Sequence, residues 1–197
     1  MTNIKSIRNI TIISILSALI VVLAFLPIGN PAGLYITLTI IPIAIGAIIG
    51  GPIVGLILGT VFGLVSFLQC LGYSAFGHAL FQVNPLLTFL VCVPTRMLAG
   101  FIPGLVNKLV SKKSKRIGEL LACILVPILN TFFFMLMLVL CFYEAPAIQG
   151  IVTDNNIVNP FMFVIAFVGV NGLVEIICGI IVSFPVAKIL GKAKVLE

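Results

Sequence analysis

Charge is nearly missing from this 197-residue chain: five Asp and Glu stand beside eleven Lys and Arg, charged residues make up 8%, and there is one histidine and no tryptophan. Soluble domains carry about 25% charged residues, so too little polar surface is present to clothe a water-soluble globule. No G-x-x-x-x-G-K-[ST] loop occurs, which leaves no visible means of binding nucleotide phosphates. A single histidine and unpaired acids provide no metal cluster and no base beside a Ser, Thr or Cys nucleophile, which excludes hydrolase constellations. Cys70, Cys92, Cys123, Cys141 and Cys178 lack any C-x-x-C and read as small hydrophobes scattered singly, with no metal and no cofactor expected.

What the chain has is apolar length: 61% of residues are hydrophobic, and mean hydropathy is +1.35. At ~20 apolar residues per crossing, the length predicts an all-α integral membrane protein of six transmembrane helices in a single domain over residues 1–197. The apolar runs place the spans at about 10–26, 39–49, 52–70, 84–107, 117–142 and 161–187. Gly50-Gly51-Pro52 allows a tight reversal between the second and third. Net charge +6 raises the question of nucleic acid, and the positions of the basic residues answer it. Every Lys and Arg except Arg96 falls in three patches: Lys5 and Arg8; Lys108, Lys112, Lys113, Lys115 and Arg116; and Lys188, Lys192 and Lys194. Basic residues flank the cytoplasmic side of spans, so an even number of spans separates each pair of patches and both termini are expected to be cytoplasmic. No nucleic-acid partner is expected; the lipid bilayer is. The outer connections, about 27–38, 71–83 and 143–160, hold no Lys or Arg and are long enough to act as linkers or lids. Lys5 and Arg8 before an apolar run resemble a signal peptide in outline, but the run is long and lacks a small-x-small cleavage site, so it is read as the first span.

Small residues at i, i+4 let helix backbones approach closely within lipid. Gly55, Gly59 and Gly63 form such a stripe in the third span, Gly46 and Gly50 extend the pattern in the second, and both are expected to serve internal packing. Ser14 and Ala18 form another pair in the first span, where the stripe is a candidate contact for a partner subunit.

An ionisable group inside a span costs at least ~2.5–3.5 kcal/mol and is a functional-site hypothesis by default. Arg96 lies ~18 Å below the outer end of the fourth span and Glu175 ~21 Å below that of the sixth, counted at 1.5 Å per residue. Asn130 in the fifth span and Asn171 in the sixth lie at ~18 Å and ~15 Å. Asn171 and Glu175 are also i, i+4 and share a helix face. Three spans thus bring polar groups to one mid-membrane layer. Two uses are compatible: a ligand pocket, and an Arg96–Glu175 pair that braces the bundle.

The run ITLTIIPIAIGAIIGGPIVGLILGTVFGLVSF (36–67), followed by NPLLTFLVCVPTRMLAGFIPGLV (84–106), resembles the substrate-binding S-component of energy-coupling factor (ECF) vitamin transporters. The resemblance covers most of the chain, including the I-T-x-x-x-I-P lead into a short second helix. It implies a multi-pass protein of the bacterial cytoplasmic membrane that binds a vitamin from outside. Delivery would require a transmembrane coupling subunit and two cytoplasmic ATPase subunits, so the chain itself would not be an enzyme. It also implies a site in the outer halves of spans four to six, carried here by Arg96, Asn130, Asn171 and Glu175, with Tyr35 and Gln82 as loop candidates. Helix one of many members shows A-x-x-x-A against the coupling subunit; Ser14-x-x-x-Ala18 stands here. Val93-Pro94-Thr95-Arg96 with Ala99-Gly100 is most similar to pantothenate-type members, and an arginine fork matches the carboxylate of that vitamin. Pyridoxine-type vitamins, folate and riboflavin are the alternative substrates. A stand-alone secondary transporter is the alternative class, in which Glu175 alone would have to change charge.

Overall fold

The computed structural model describes residues 2–26, 38–154 and 159–193, and every regular element among them is helical. In chain order these are α1 (Thr2–Ala24), α2 (Ile40–Ile49), α3 (Pro52–Gln69), α4 (Ala75–Val83), α5 (Pro85–Val110), α6 (Lys115–Phe142), α7 (Pro146–Asp154) and α8 (Pro160–Cys178). The last runs through a π turn, Gly179–Ser183, into α9 (Phe184–Ala193).

Local chemistry sets the helix starts. Proline opens α3, α5 and α8, where its missing N–H costs nothing. The side chain of Asn84 accepts hydrogen bonds from the amides of Leu86 and Leu87, and that of Asn159 from Met162. Gly51, at φ 81°, makes the reversal between α2 and α3 that the Gly-Gly-Pro sequence predicts.

All six expected apolar runs are helical, but they are not alike in length. Among the described residues α3, α5 and α6 are long and apolar enough to cross a membrane. Helix α2 has ten residues, ~15 Å, about half of a ~30 Å hydrocarbon core. The sixth run is one rod interrupted by the π turn. Pro185, just past that turn, has no N–H to return to the preceding turn, so the widening sits where the helical ladder is already broken. Two outer connections read as loops contain helices instead. In α4, Phe76 and Leu80 lie four apart on one face, and Leu80 is buried with Ile148 of α7 and Phe142 of α6. That short i, i+4 signal was present in the sequence but overshadowed by the polar residues around it.

The glycine stripe does what its spacing predicts. A Cβ at Gly55 would strike the Gly100 carbonyl, one at Gly59 the Arg96 carbonyl, and one at Gly63 would lie 2.8 Å from Val93 Cα. Helices α3 and α5 therefore touch backbone to backbone across the segment that carries Arg96.

Two apolar cores flank that segment. One joins Leu16 and Ile20 of α1, Ile40 and Ile43 of α2, Leu58 and Phe62 of α3 and Val126 of α6. The other joins Leu80, Val91, Met135, Leu138, Phe142, Ile148 and Phe163, from five helices at the end where α4 and α7 lie.

Candidate functional site

Between the two cores lies Arg96, buried at 8% exposure. Its Nη1 donates to the carbonyls of Cys92 (3.1 Å) and Val91 (3.3 Å) and to Thr95 Oγ1 (3.4 Å), all on its own helix. Its guanidinium carbon stands 4.9 Å from the ring centroid of Phe62 on α3 and 4.9 Å from that of Phe134 on α6. Cation–π contacts of this kind contribute ~2 kcal/mol when desolvated. Nε is buried with no hydrogen-bond partner. Glu175 of α8, itself buried, acts electrostatically on the guanidinium.

Asn130 is buried on α6 between Val126 of one core and Met135 of the other, and its Oδ1 has no hydrogen-bond partner. It sits one turn beyond Pro127, which cannot donate to the Cys123 carbonyl. That carbonyl lies against Gly179, 3.0 Å from where a Cβ would be, so the proline on α6 and the glycine of the π turn fit together. This contact ties the height of Glu175, four residues before Gly179, to that of Asn130. An unsatisfied buried donor or acceptor costs ~1–3 kcal/mol. The unpartnered Nε is a donor suited to an anionic oxygen, and the unpartnered Oδ1 an acceptor suited to a hydroxyl or amide N–H.

Of the other expected site residues, Asn171 lies on α8 with its side chain outside the described residues, and Tyr35 falls outside them altogether. Gln82 is exposed on α4, where its amide nitrogen lies 3.1 Å from His78 Nε2, while His78 Nδ1 lies 3.3 Å from the Cys70 carbonyl. The fold therefore holds Arg96, Asn130 and Glu175 within the buried interior and leaves Gln82 exposed on α4. Ser14 and Ala18 are both exposed on α1, among exposed Ile10, Ile15, Leu19 and Val22. The Ser14 hydroxyl is turned back to the Ile10 carbonyl at 2.9 Å, so this face presents little polarity.

Three features escape a reading of the sequence alone. Thr39, which precedes α2, is 1% exposed and its hydroxyl has no partner. The Asn107 side chain bonds the Ile48 carbonyl at 3.2 Å and so levels the ends of α2 and α5. Counting up from that contact puts Thr39 at ~14 Å and Arg96 at ~17 Å, within one helical turn of each other. The signal available was a short helix whose polar lead lies at mid-depth. Phe62 and Phe134 carry no sequence signal, because phenylalanine is common throughout the chain. The reading of the cysteines as isolated is corrected for one pair: antiparallel α3 and α5 bring Cys70 Sγ and Cys92 Sγ to 3.9 Å, although 22 residues separate them.

Residues 8–187 match the family described as ECF transporter, substrate-specific component. No curated protein matches the chain.

Proposed function

The chain belongs to the ECF transporter substrate-specific component family, whose members are substrate-specific subunits of an ECF importer and not enzymes, and from that premise we propose that its substrate is pantothenate. The observation that carries the proposal is Arg96, a buried cation flanked by two ring faces with Nε unbonded, while Asn130, one turn before the Phe134 ring on α6, has its Oδ1 unbonded. Pantothenate brings a carboxylate for the first and hydroxyl and amide N–H groups for the second. In this reading Arg96 holds the carboxylate, Asn130 accepts a hydrogen bond from the polar chain, and Asn171 and Glu175 receive the hydroxyls. Tyr35 and Gln82 belong to the outer connections that close over the ligand.

The proposal extends to the assembly. Six spans with both termini cytoplasmic place the layer within reach of the outside and the basic patches on the inside. The small, exposed Ser14/Ala18 face of α1 meets a transmembrane coupling subunit, and two cytoplasmic ATPase subunits supply hydrolysis. The test is to denature purified protein and identify the released small molecule by mass spectrometry. Pantothenate supports the reading; a different vitamin, or none from protein expressed in pantothenate-replete cells, refutes it.

A further inference from the structure

We propose that Phe62 and Phe134 are positioning residues that fix which edge of Arg96 faces the ligand, and that this edge, Nε with Nη2, makes the site selective for a carboxylate. The inference rests on the ligand reading of the same site.

A guanidinium is a planar fork of five N–H donors. One corner of this fork is already committed, because Nη1 points back to the Val91 and Cys92 carbonyls and the Thr95 hydroxyl. The edge that remains includes Nε, buried and unpartnered. Nε and Nη2 offer two parallel N–H groups whose spacing matches the two oxygens of a carboxylate. The rings come from different helices, α3 and α6, and each centroid is 4.9 Å from the guanidinium carbon. A π face attracts the cation without placing an oxygen on its N–H groups, so it orients the ion and leaves the donors for the ligand. Without the rings the long side chain samples other orientations, and apparent affinity falls in proportion to the competent fraction.

The position of Phe62 is itself fixed. It lies on the turn of α3 between Gly59 and Gly63, whose contacts with the α5 backbone set the separation of the two helices. Phe134 is one turn beyond Asn130 on α6, so the helix that presents the unpartnered amide oxygen also presents the second ring.

Two measurements on the full chain test this. Calorimetry compares pantothenate with its neutral alcohol analogue, in which the carboxylate is reduced. Phe62→Leu and Phe134→Leu should each raise the pantothenate Kd about ten-fold and change the alcohol Kd by less than about two-fold, while Phe62→Tyr and Phe134→Tyr, which keep the ring face, should stay near wild type. Nitrogen-15 NMR supplies the second readout, since the chain has only Arg8, Arg96 and Arg116 and the Arg96 Nε–H signal is identified by its loss in Arg96→Lys. Pantothenate should move that signal and the alcohol should not. Equal losses for both ligands would show that the rings merely line a pocket, and an unmoved Nε–H with pantothenate bound would reject the edge; either overturns the proposal. Failure of the wild type to bind pantothenate would instead overturn the functional reading on which it rests, a result distinct from both.

Discussion

Replacing Arg96 with alanine removes a buried cation at the position proposed for the ligand carboxylate. The loss is large because little surrounds that position to take over. Phe62 and Phe134 are apolar, Nη1 occupies the carbonyls of α5, and among the expected site residues Glu175 carries the ligand's own sign. Truncating one member of a buried, hydrogen-bonded charge pair costs about 2–5 kcal/mol, which corresponds to roughly thirty-fold to several-thousand-fold in affinity. Arg96→Lys should also bind poorly, since an ammonium is a point charge that cannot form the bidentate fork. The alcohol analogue is the control: it should bind wild type weakly and lose much less on mutation. Loss of Arg96 also deprives Glu175 of a cation that acts on it, which alone could destabilise the bundle. Arg96→Ala combined with Glu175→Gln removes that excess charge, and it should recover thermal stability in detergent without recovering pantothenate binding. The assay is calorimetry on folded, monodisperse protein, and wild-type affinity for pantothenate in Arg96→Ala would refute the reasoning.

The packing and the charge pattern lead to further expectations. With the native cysteines replaced, a cysteine at Asp154 should react with an impermeant maleimide from outside and one at Ser111 should not; labelling of Ser111 from outside would invert the topology. Ala18→Trp should leave pantothenate binding by the isolated protein unchanged, because Ala18 is exposed, and abolish uptake in cells that express the coupling module; lost binding would place Ala18 in internal packing instead. Gly59→Ala forces a methyl onto the Arg96 carbonyl and should cost about 1–3 kcal/mol of stability, measured as a lowered thermal midpoint, with weakened binding as α5 shifts. Gly150→Ala on α7, where nothing lies within 4 Å, is its matched control and should not destabilise.

Much of this fold was legible because membrane segments are read from composition and length. Arginine and glutamate stand out inside apolar runs, so Arg96 and Glu175 were visible, and both are buried in the fold. Gly55, Gly59 and Gly63 announced a close helix contact by spacing alone. Spacing did not tell which helix they meet; the pairing with Gly100 and the Arg96 carbonyl is a tertiary fact. Phe62 and Phe134 were illegible for the same reason: fifteen phenylalanines share the chain, and only the approach of α3, α5 and α6 selects two of them. Thr39 gives no signal in the sequence because hydroxyls are common at helix ends; only the fold shows it buried without a partner. The Cys70–Cys92 approach joins helices antiparallel to one another, and no local motif encodes it. Helices α4 and α7 are too short for periodicity to outweigh their polar residues.

The central claim is that one buried layer, built around Arg96 and Asn130, receives the carboxylate end of a vitamin. A structure of the protein with pantothenate bound tests it most directly. The account predicts the carboxylate within hydrogen-bonding distance of Arg96 Nε and Nη2, with a hydroxyl or the amide N–H of the ligand on Asn130 Oδ1. Pantothenate bound instead among α4 and α7 at the outer surface, with Arg96 Nε still unpartnered, would contradict it.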